Sequence, residues 1–254
     1  MRQEMMMAPL DCSSQALMVN NHKRINYKFF VNSSDPATVN LAFDPETFQL
    51  VIPPEAPHPA WAKLSYNRCP NCPLAESCEY CPSALGIAQF LPKFEHRVSH
   101  EKTVVEVETA QRSIVAKTTF QSAMASLIGL VCATSGCPLT RFLRPMARFH
   151  MPFAEEQETL YRSFSSWLLM SYVQGKMRGS TACVTLDGLK QAYQELSVMN
   201  SCLAERLRAG VKRDAALNAV IILDLFAQIA PDNIDGGFED ILDAFKVEDG
   251  SLAH

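Results

Sequence analysis

The stretch CPNCPLAESCEYCP runs from Cys69 to Pro82 and holds Cys69, Cys72, Cys78 and Cys81 of a chain with nine cysteines. Cys69 and Cys72 form one CxxC turn, and Cys78 and Cys81 form a second. A CxxC turn sets both sulfurs on one side, and two such turns folded together supply the four thiolates of a tetrahedral zinc site, with Zn–S distances of about 2.3 Å. The spacer from Pro73 to Ser77 reaches at most about 17 Å when extended, so the two turns close into a tight loop. Prolines at 70, 73 and 82 reduce the freedom lost when that loop is ordered. The spacing does not match the ferredoxin run C-x2-C-x2-C-x3-C-P, and the pairs follow a proline-rich connector where a thioredoxin-like motif follows a strand. Structural zinc is the reading adopted, with an iron–sulfur cluster, a redox pair and unligated thiols as the alternatives. A site filled by four cysteines has no open position for water, so it stabilises a fold and assigns no catalysis.

A length of 254 residues and 48% apolar content allow a sizeable core, and a net charge of -4 offers no general attraction to phosphate backbones or anionic lipid. Nucleic-acid binding through the cysteine loop is disfavoured, because Glu76 and Glu79 sit in it with Arg68 as its close basic neighbour. The head of the chain carries Glu4 and Asp11 and lacks a secretory apolar run. The runs from Ala123 and from Ala219 fall short of about 18 apolar residues, so no membrane span is expected. The expected compartment is the cytoplasm, where thiols stay reduced.

After a mobile head over 1–22, the segments INYKFFV, VNLAF and FQLVIP read as an antiparallel meander, separated by the turn-rich NSSDPAT and DPET. KTVVEVET and SIVAKTTF read as a second hairpin. From Gln121 onward the pattern is helical, so the fold class is α+β: N-terminal antiparallel strands over 23–120 carrying the cysteine insert (69–81), then a helical bundle over 121–254. In the stretch 155–176, Leu160, Phe164, Trp167, Leu168 and Tyr172 fall on one helical face, expected as core. Leu186, Leu189, Tyr193, Leu196, Asn200, Leu203 and Leu207 alternate spacings of three and four, either an ordinary bundle helix with Asn200 at its edge, the simpler reading for about three heptads, or a coiled-coil-like seam over 186–207 that would serve a protein partner or self-association. The helix from Asp214 to Ala230 is apolar nearly all round and is expected at the bundle's centre. Phe238, Ile241, Leu242 and Phe245 read as a short amphipathic helix.

A second constellation lies in GCPLTRFLRPMARFHMPFA, from Gly136 to Ala154. Arg141, Arg144 and Arg148 recur at helical spacing with His150 beside them, a candidate site for a small anionic ligand, since guanidinium groups grip carboxylate or phosphate in bidentate fashion. The alternative is that they pair with Glu155, Glu156 or Glu158. RPMAR resembles the arginine pair of cyclic-di-GMP receptor domains, but the Asp/Asn-x-Ser-x-x-Gly partner motif of those domains is missing.

Through CPNCPL (Cys69–Leu74), YCP (Tyr80–Pro82) and RPMARFH-x-PFA (Arg144–Ala154), the chain resembles a family of uncharacterised bacterial proteins, a domain of unknown function. That resemblance carries no activity across. The combined expectation is a bacterial cytoplasmic regulatory or adaptor protein with a structural zinc site. The competing expectation is an anion or nucleotide sensor or enzyme built on residues 141–150.

Overall fold

The computed structural model describes residues 22–30, 36–179, 185–210 and 214–246. The expected mobile head, together with Cys12 and Cys183, falls outside them. Strand β1 (Lys23–Phe30) turns Ile25, Tyr27 and Phe29 to one face, and β2 (Ala37–Phe43) turns Val39, Leu41 and Phe43 to the same side. They pair antiparallel from Lys23↔Phe43 to Phe29↔Ala37. On its other edge β1 pairs with β3 (Lys102–Glu108), which in turn pairs with β4 (Ser113–Thr119), giving an antiparallel sheet of order β2-β1-β3-β4. Opposite charges sit across strands on the outer face, where Lys28 Nζ lies 2.6 Å from Glu108 and 3.4 Å from Glu106. The inner face carries Val105 and Val107 and is covered by helix.

The third expected strand is reduced to a single bridge between Phe43 and Leu50. The Asp44 carboxylate accepts the Glu46 and Thr47 N–H groups at 3.2 and 2.7 Å and the Thr47 hydroxyl at 2.7 Å, closing a tight turn. Phe48 adopts a left-handed φ of 57° and stacks on Phe43 at 4.6 Å. Leu50 N–H then donates to the Thr134 carbonyl at 2.8 Å, which carries the segment off the sheet and onto a helix end.

That helix, α2 (Phe120–Thr134), starts directly from β4 with Thr119 as its cap, accepting the Ser122 N–H at 3.3 Å. Phe120, Met124, Leu127, Ile128 and Val131 are fully buried along it. Short α1 (Pro82–Ala88) packs on it so closely that a Cβ on Gly86 would lie 2.8 Å from Val131 and 3.2 Å from Leu50. The short α3 (Arg144–Arg148) leads to α4 (Glu156–Met177), α5 (Asp187–Gly210) and α6 (Ala215–Gly236). Gly237, at φ 85°, ends α6 in the left-handed conformation that suits glycine. One apolar cluster runs continuously from Ile25 in the sheet to Ile241 beyond α6.

Three expectations about the helices need correction. The central helix is α2, between the sheet and α6; on α6, Ile221 and Leu225 reach solvent. By length and composition α6 could cross a membrane, but here it packs against α2 and α5. On α4 the expected core face is buried at Leu160 and Phe164 and then emerges, leaving Leu168 and Tyr172 exposed. The tail forms a tight 3-10 turn over Leu242–Phe245 with Phe238 and Ile241 packed inward, and no further α-helix is seen among the described residues. The seam residues Leu189, Tyr193, Leu196, Asn200, Leu203 and Leu207 are buried within the chain, with α5 packed on α6 and Asn200 reaching toward Asp224 at 3.5 Å.

Replacing Gly86 with valine wedges the α1–α2 contact apart and is expected to lower unfolding stability by about 1–3 kcal/mol. A urea titration checks this through a lower midpoint at unchanged slope.

Candidate metal centre

The cysteine loop hangs from a closed base. Leu64 N–H donates to the Glu79 carbonyl and Cys81 N–H to that of Ala62, both at 2.8 Å, so residues 62–64 and 79–81 run side by side. Within the loop, Cys72 N–H closes the first CxxC turn on the Cys69 carbonyl at 3.0 Å, and Arg68 holds the Leu74 carbonyl at 2.5 Å. Asn71 ties the loop to α5 by donating to the Glu195 carbonyl at 3.0 Å.

Beneath the loop lies Arg206, a charged side chain only 1% exposed. Its guanidinium donates to the carbonyls of Trp61, Lys63 and Leu64 at 2.9, 2.6 and 3.2 Å, while its Nε finds no partner. Among the described residues no carboxylate is recorded against it. A buried cation held only by neutral dipoles is costly unless an anionic group lies near. Its charge acts on the Cys81 sulfur.

The thiols themselves divide. Cys69 is buried and hydrogen-bonded to Cys202; burial first, then the neighbouring Cys202, Cys81 and Cys137 sulfurs, push its thiol up. Cys81 is raised by burial and also interacts with Cys72. Cys137 is raised to about 11 by burial, then by Cys81, while Cys132 is raised by burial and then by Cys137. Cys78 lies in a small apolar cluster with Leu64 and Leu74, against which Cys72 and Cys81 pack, and it is disulfide-bonded. The structure thus brings Cys69, Cys72 and Cys81 toward Cys137, Cys132 and Cys202. Among the described residues, no three His, Cys, Asp or Glu side chains are disposed to hold a metal ion as they stand.

The second constellation does not converge. Arg148 donates to the Glu46 and Pro45 carbonyls at 2.9 and 3.2 Å and lies over the Phe48 ring at 5.7 Å, bracing the Asp44 turn. His150 turns the other way, 2.5 Å from the Tyr27 hydroxyl, which also lies 2.9 Å from Ser126. Burial, then the nearby Arg162 and Arg112, push the imidazole down to about 3. It is a neutral core group. Arg141 is exposed beside half-buried Arg144, whose Nε has no partner. No contact with Glu155, Glu156 or Glu158 is recorded for these three arginines.

Arg206 escaped the sequence reading because it lies one position before Leu207 of the seam and reads there as a surface charge. Cys137 lies outside the two CxxC turns, so their spacing does not point to it. A signal for it was present: Cys69, Cys72, Cys81 and Cys137 are each followed by proline, and Cys78 is not.

The profile of a domain of unknown function, DUF6901, matches residues 25–246. The chain belongs to this family. The DUF6901 match spans the sheet, the cysteine loop and all six helices. No curated protein and no solved structure matches the chain.

Two outcomes follow. Replacing Arg206 with methionine leaves the Trp61 and Leu64 carbonyls without this donor and is expected to cost roughly 3–5 kcal/mol, against under about 1 kcal/mol for exposed Arg208→Met, by chemical denaturation. His150 has a native pKa near 3 and an unfolded one near 6.5, so the native state binds fewer protons in that window. Its contribution is complete above pH 6.5 and falls as pH drops, by about 1.4 kcal/mol per unit. Melting curves at pH 7 and pH 5 should show a smaller loss for His150→Gln than for the wild type.

Proposed function

We propose that this is a bacterial cytoplasmic regulatory or adaptor protein, organised by a structural zinc–thiolate centre in its cysteine loop and acting through association of helix α4 with a second copy. Among the described residues Cys69, Cys72, Cys81, Cys132, Cys137 and Cys202 are free thiols, which a reducing compartment keeps available as ligands. The buried positive charge of Arg206 suits a zinc tetrathiolate, which carries net negative charge.

The observation that carries the association role is the outer strip of α4. Leu169 and Met177 are 64% and 83% exposed, and Tyr172 and Val173 lie between them at helical spacing. From Ser163 to Gln174 this helix has no charged residue, which is unusual for a solvated surface. Its ends are charged in opposite senses, with exposed Glu155, Glu156 and Glu158 at the start and Lys176 and Arg178 at the finish. An antiparallel copy sets acidic end against basic end and buries both strips.

Sedimentation of the purified chain should show a dimer that Val173→Glu converts to a monomer without changing helix content. A wild-type monomer up to about 100 μM defeats this role. Metal analysis should find about one zinc per chain, and Cys72→Ser should lower metal content and melting temperature together. Loss of metal at unchanged stability contradicts the structural role.

A second reading is favoured by the unpartnered Arg144 Nε beside Arg141. Burial, then the Arg141 charge, hold the Arg144 guanidinium below its usual range, a repulsion that a bound carboxylate or phosphate relieves. Thermal shift against nucleotides, cyclic dinucleotides and phosphorylated metabolites separates the readings, because a ligand raises melting temperature by mass action and an adaptor shows no shift.

A further inference from the structure

We propose that the free edge of β4 docks an extended, acidic segment of another protein, which joins the four-stranded sheet as an added strand. This names the kind of partner an adaptor of this build accepts, and it depends on neither the zinc centre nor the α4 contact.

The strand order β2-β1-β3-β4 leaves β4 at one end of the sheet, and the hairpin register decides which of its backbone groups are free. Thr109 N–H donates to the Arg112 carbonyl at one end of the ladder and Phe120 N–H to the Glu101 carbonyl at the other, both at 2.8 Å. Antiparallel strands bond through alternate residues, so Ile114, Ala116 and Thr118 turn their backbone groups toward β3, opposite Val107, Val105 and Thr103. Ser113, Val115 and Lys117 therefore aim their N–H and C=O groups away from the sheet. All three residues are exposed, and among the described residues nothing bonds to those groups. The opposite edge differs. On β2 the Ala42 carbonyl accepts Val51 N–H at 2.8 Å, and the Thr38 carbonyl accepts Lys93 Nζ at 2.7 Å. The chain covers one edge itself and leaves the other open.

The open edge is also well formed for pairing. Edge strands are commonly interrupted by proline or bent by a bulge. SIVAKTT has neither: it pairs residue by residue from Lys102↔Thr119 to Glu108↔Ser113, and Ile114, Val115, Thr118 and Thr119 are β-branched. Val115, in the middle of the free edge, is 62% exposed.

Charge selects the occupant. Arg112 and Lys117 stand exposed toward the two ends of this edge. The acids of the facing strand, Glu106 and Glu108, are held by Lys28 at 3.4 and 2.6 Å, and among the described residues neither Arg112 nor Lys117 has an ion-pair partner. A second copy would bring its own Arg112 and Lys117 to the same seam, whereas an acidic strand neutralises both. The inner face asks for apolar side chains. Val39, Tyr27, Val107 and Ile114 form one row across it, which an added strand lengthens. Tyr27 meets His150, and on either side of His150 the side chains of Phe149 and Met151 are 71% and 39% exposed. The fitting segment thus alternates apolar residues inward with carboxylates outward.

The probe is a short fluorescein-labelled peptide alternating valine and glutamate, titrated with full-length protein and followed by anisotropy. Wild type should bind it with a Kd of about 100 μM or tighter. Val115→Pro removes an outward donor and no ladder bond, so circular dichroism should be unchanged while binding weakens by about tenfold or more. Lys117→Glu should weaken it similarly. The same peptide N-methylated along the edge that meets β4 should not bind wild type, which keeps the test valid if Val115→Pro proves unstable. No binding by wild type up to about 1 mM overturns the proposal, as does binding that survives both Val115→Pro and N-methylation. A Val173→Glu protein that stays dimeric until Val115→Pro is added assigns this edge to a second copy and overturns the acidic partner. Lack of zinc, or of an α4 dimer, leaves the anisotropy result unaltered, so those failures are separate from this one.

Discussion

Arg206 is the constraint around which the middle of the molecule is arranged. A guanidinium cannot shed its proton in a protein interior, so it must be solvated by whatever surrounds it. Here the carbonyls of Trp61, Lys63 and Leu64 do that work, and in doing so they fix the strand-like base of the cysteine loop against α5. The close approach is visible at Gly210, where a Cβ would lie 2.7 Å from the Trp61 ring. The loop is thus attached to the helical half by a buried charge as well as by apolar contact, and that charge acts on the Cys81 sulfur.

The sheet and α2 provide the frame that makes this placement rigid. Strands β1 and β3 are distant in sequence and adjacent in space, so the hairpin after the cysteine loop is pinned to the strands before it. The loop is therefore closed at both ends by one sheet. Because α2 leaves β4 without a linker and is buried on nearly every side, its C-terminal turn arrives at a fixed position beside Cys81.

Much of the architecture was legible in the residues, and the exceptions have physical causes. Alternation of buried and outward side chains identified β1 to β4 because only one face of the sheet is covered. FQLVIP has the same composition, but the Asp44 carboxylate and the positive φ of Phe48 turn it away from the sheet. The helices α2 and α6 are both apolar, and only tertiary contact decides that α2 takes the centre. The apolar face of α4 was readable as a stripe, yet periodicity cannot tell a stripe covered by its own chain from one left open. The cysteines were found by spacing alone, which groups Cys78 with Cys81. Burial also packs Cys81 against Cys78, while it places Cys69 with Cys132 and Cys137 in the main core, a division that spacing does not show. His150 and Arg148 are neighbours in sequence, but one meets the Tyr27 hydroxyl on β1 and the other the carbonyls of Pro45 and Glu46, so the local cluster does not share a site.

The most direct measurement is X-ray absorption at the zinc edge of the purified full-length protein. Four sulfur scatterers at about 2.3 Å, with no nitrogen or oxygen in the same shell, are the result expected of a buried tetrathiolate beside Arg206. A shell containing nitrogen or oxygen, or protein that carries no zinc, would contradict it.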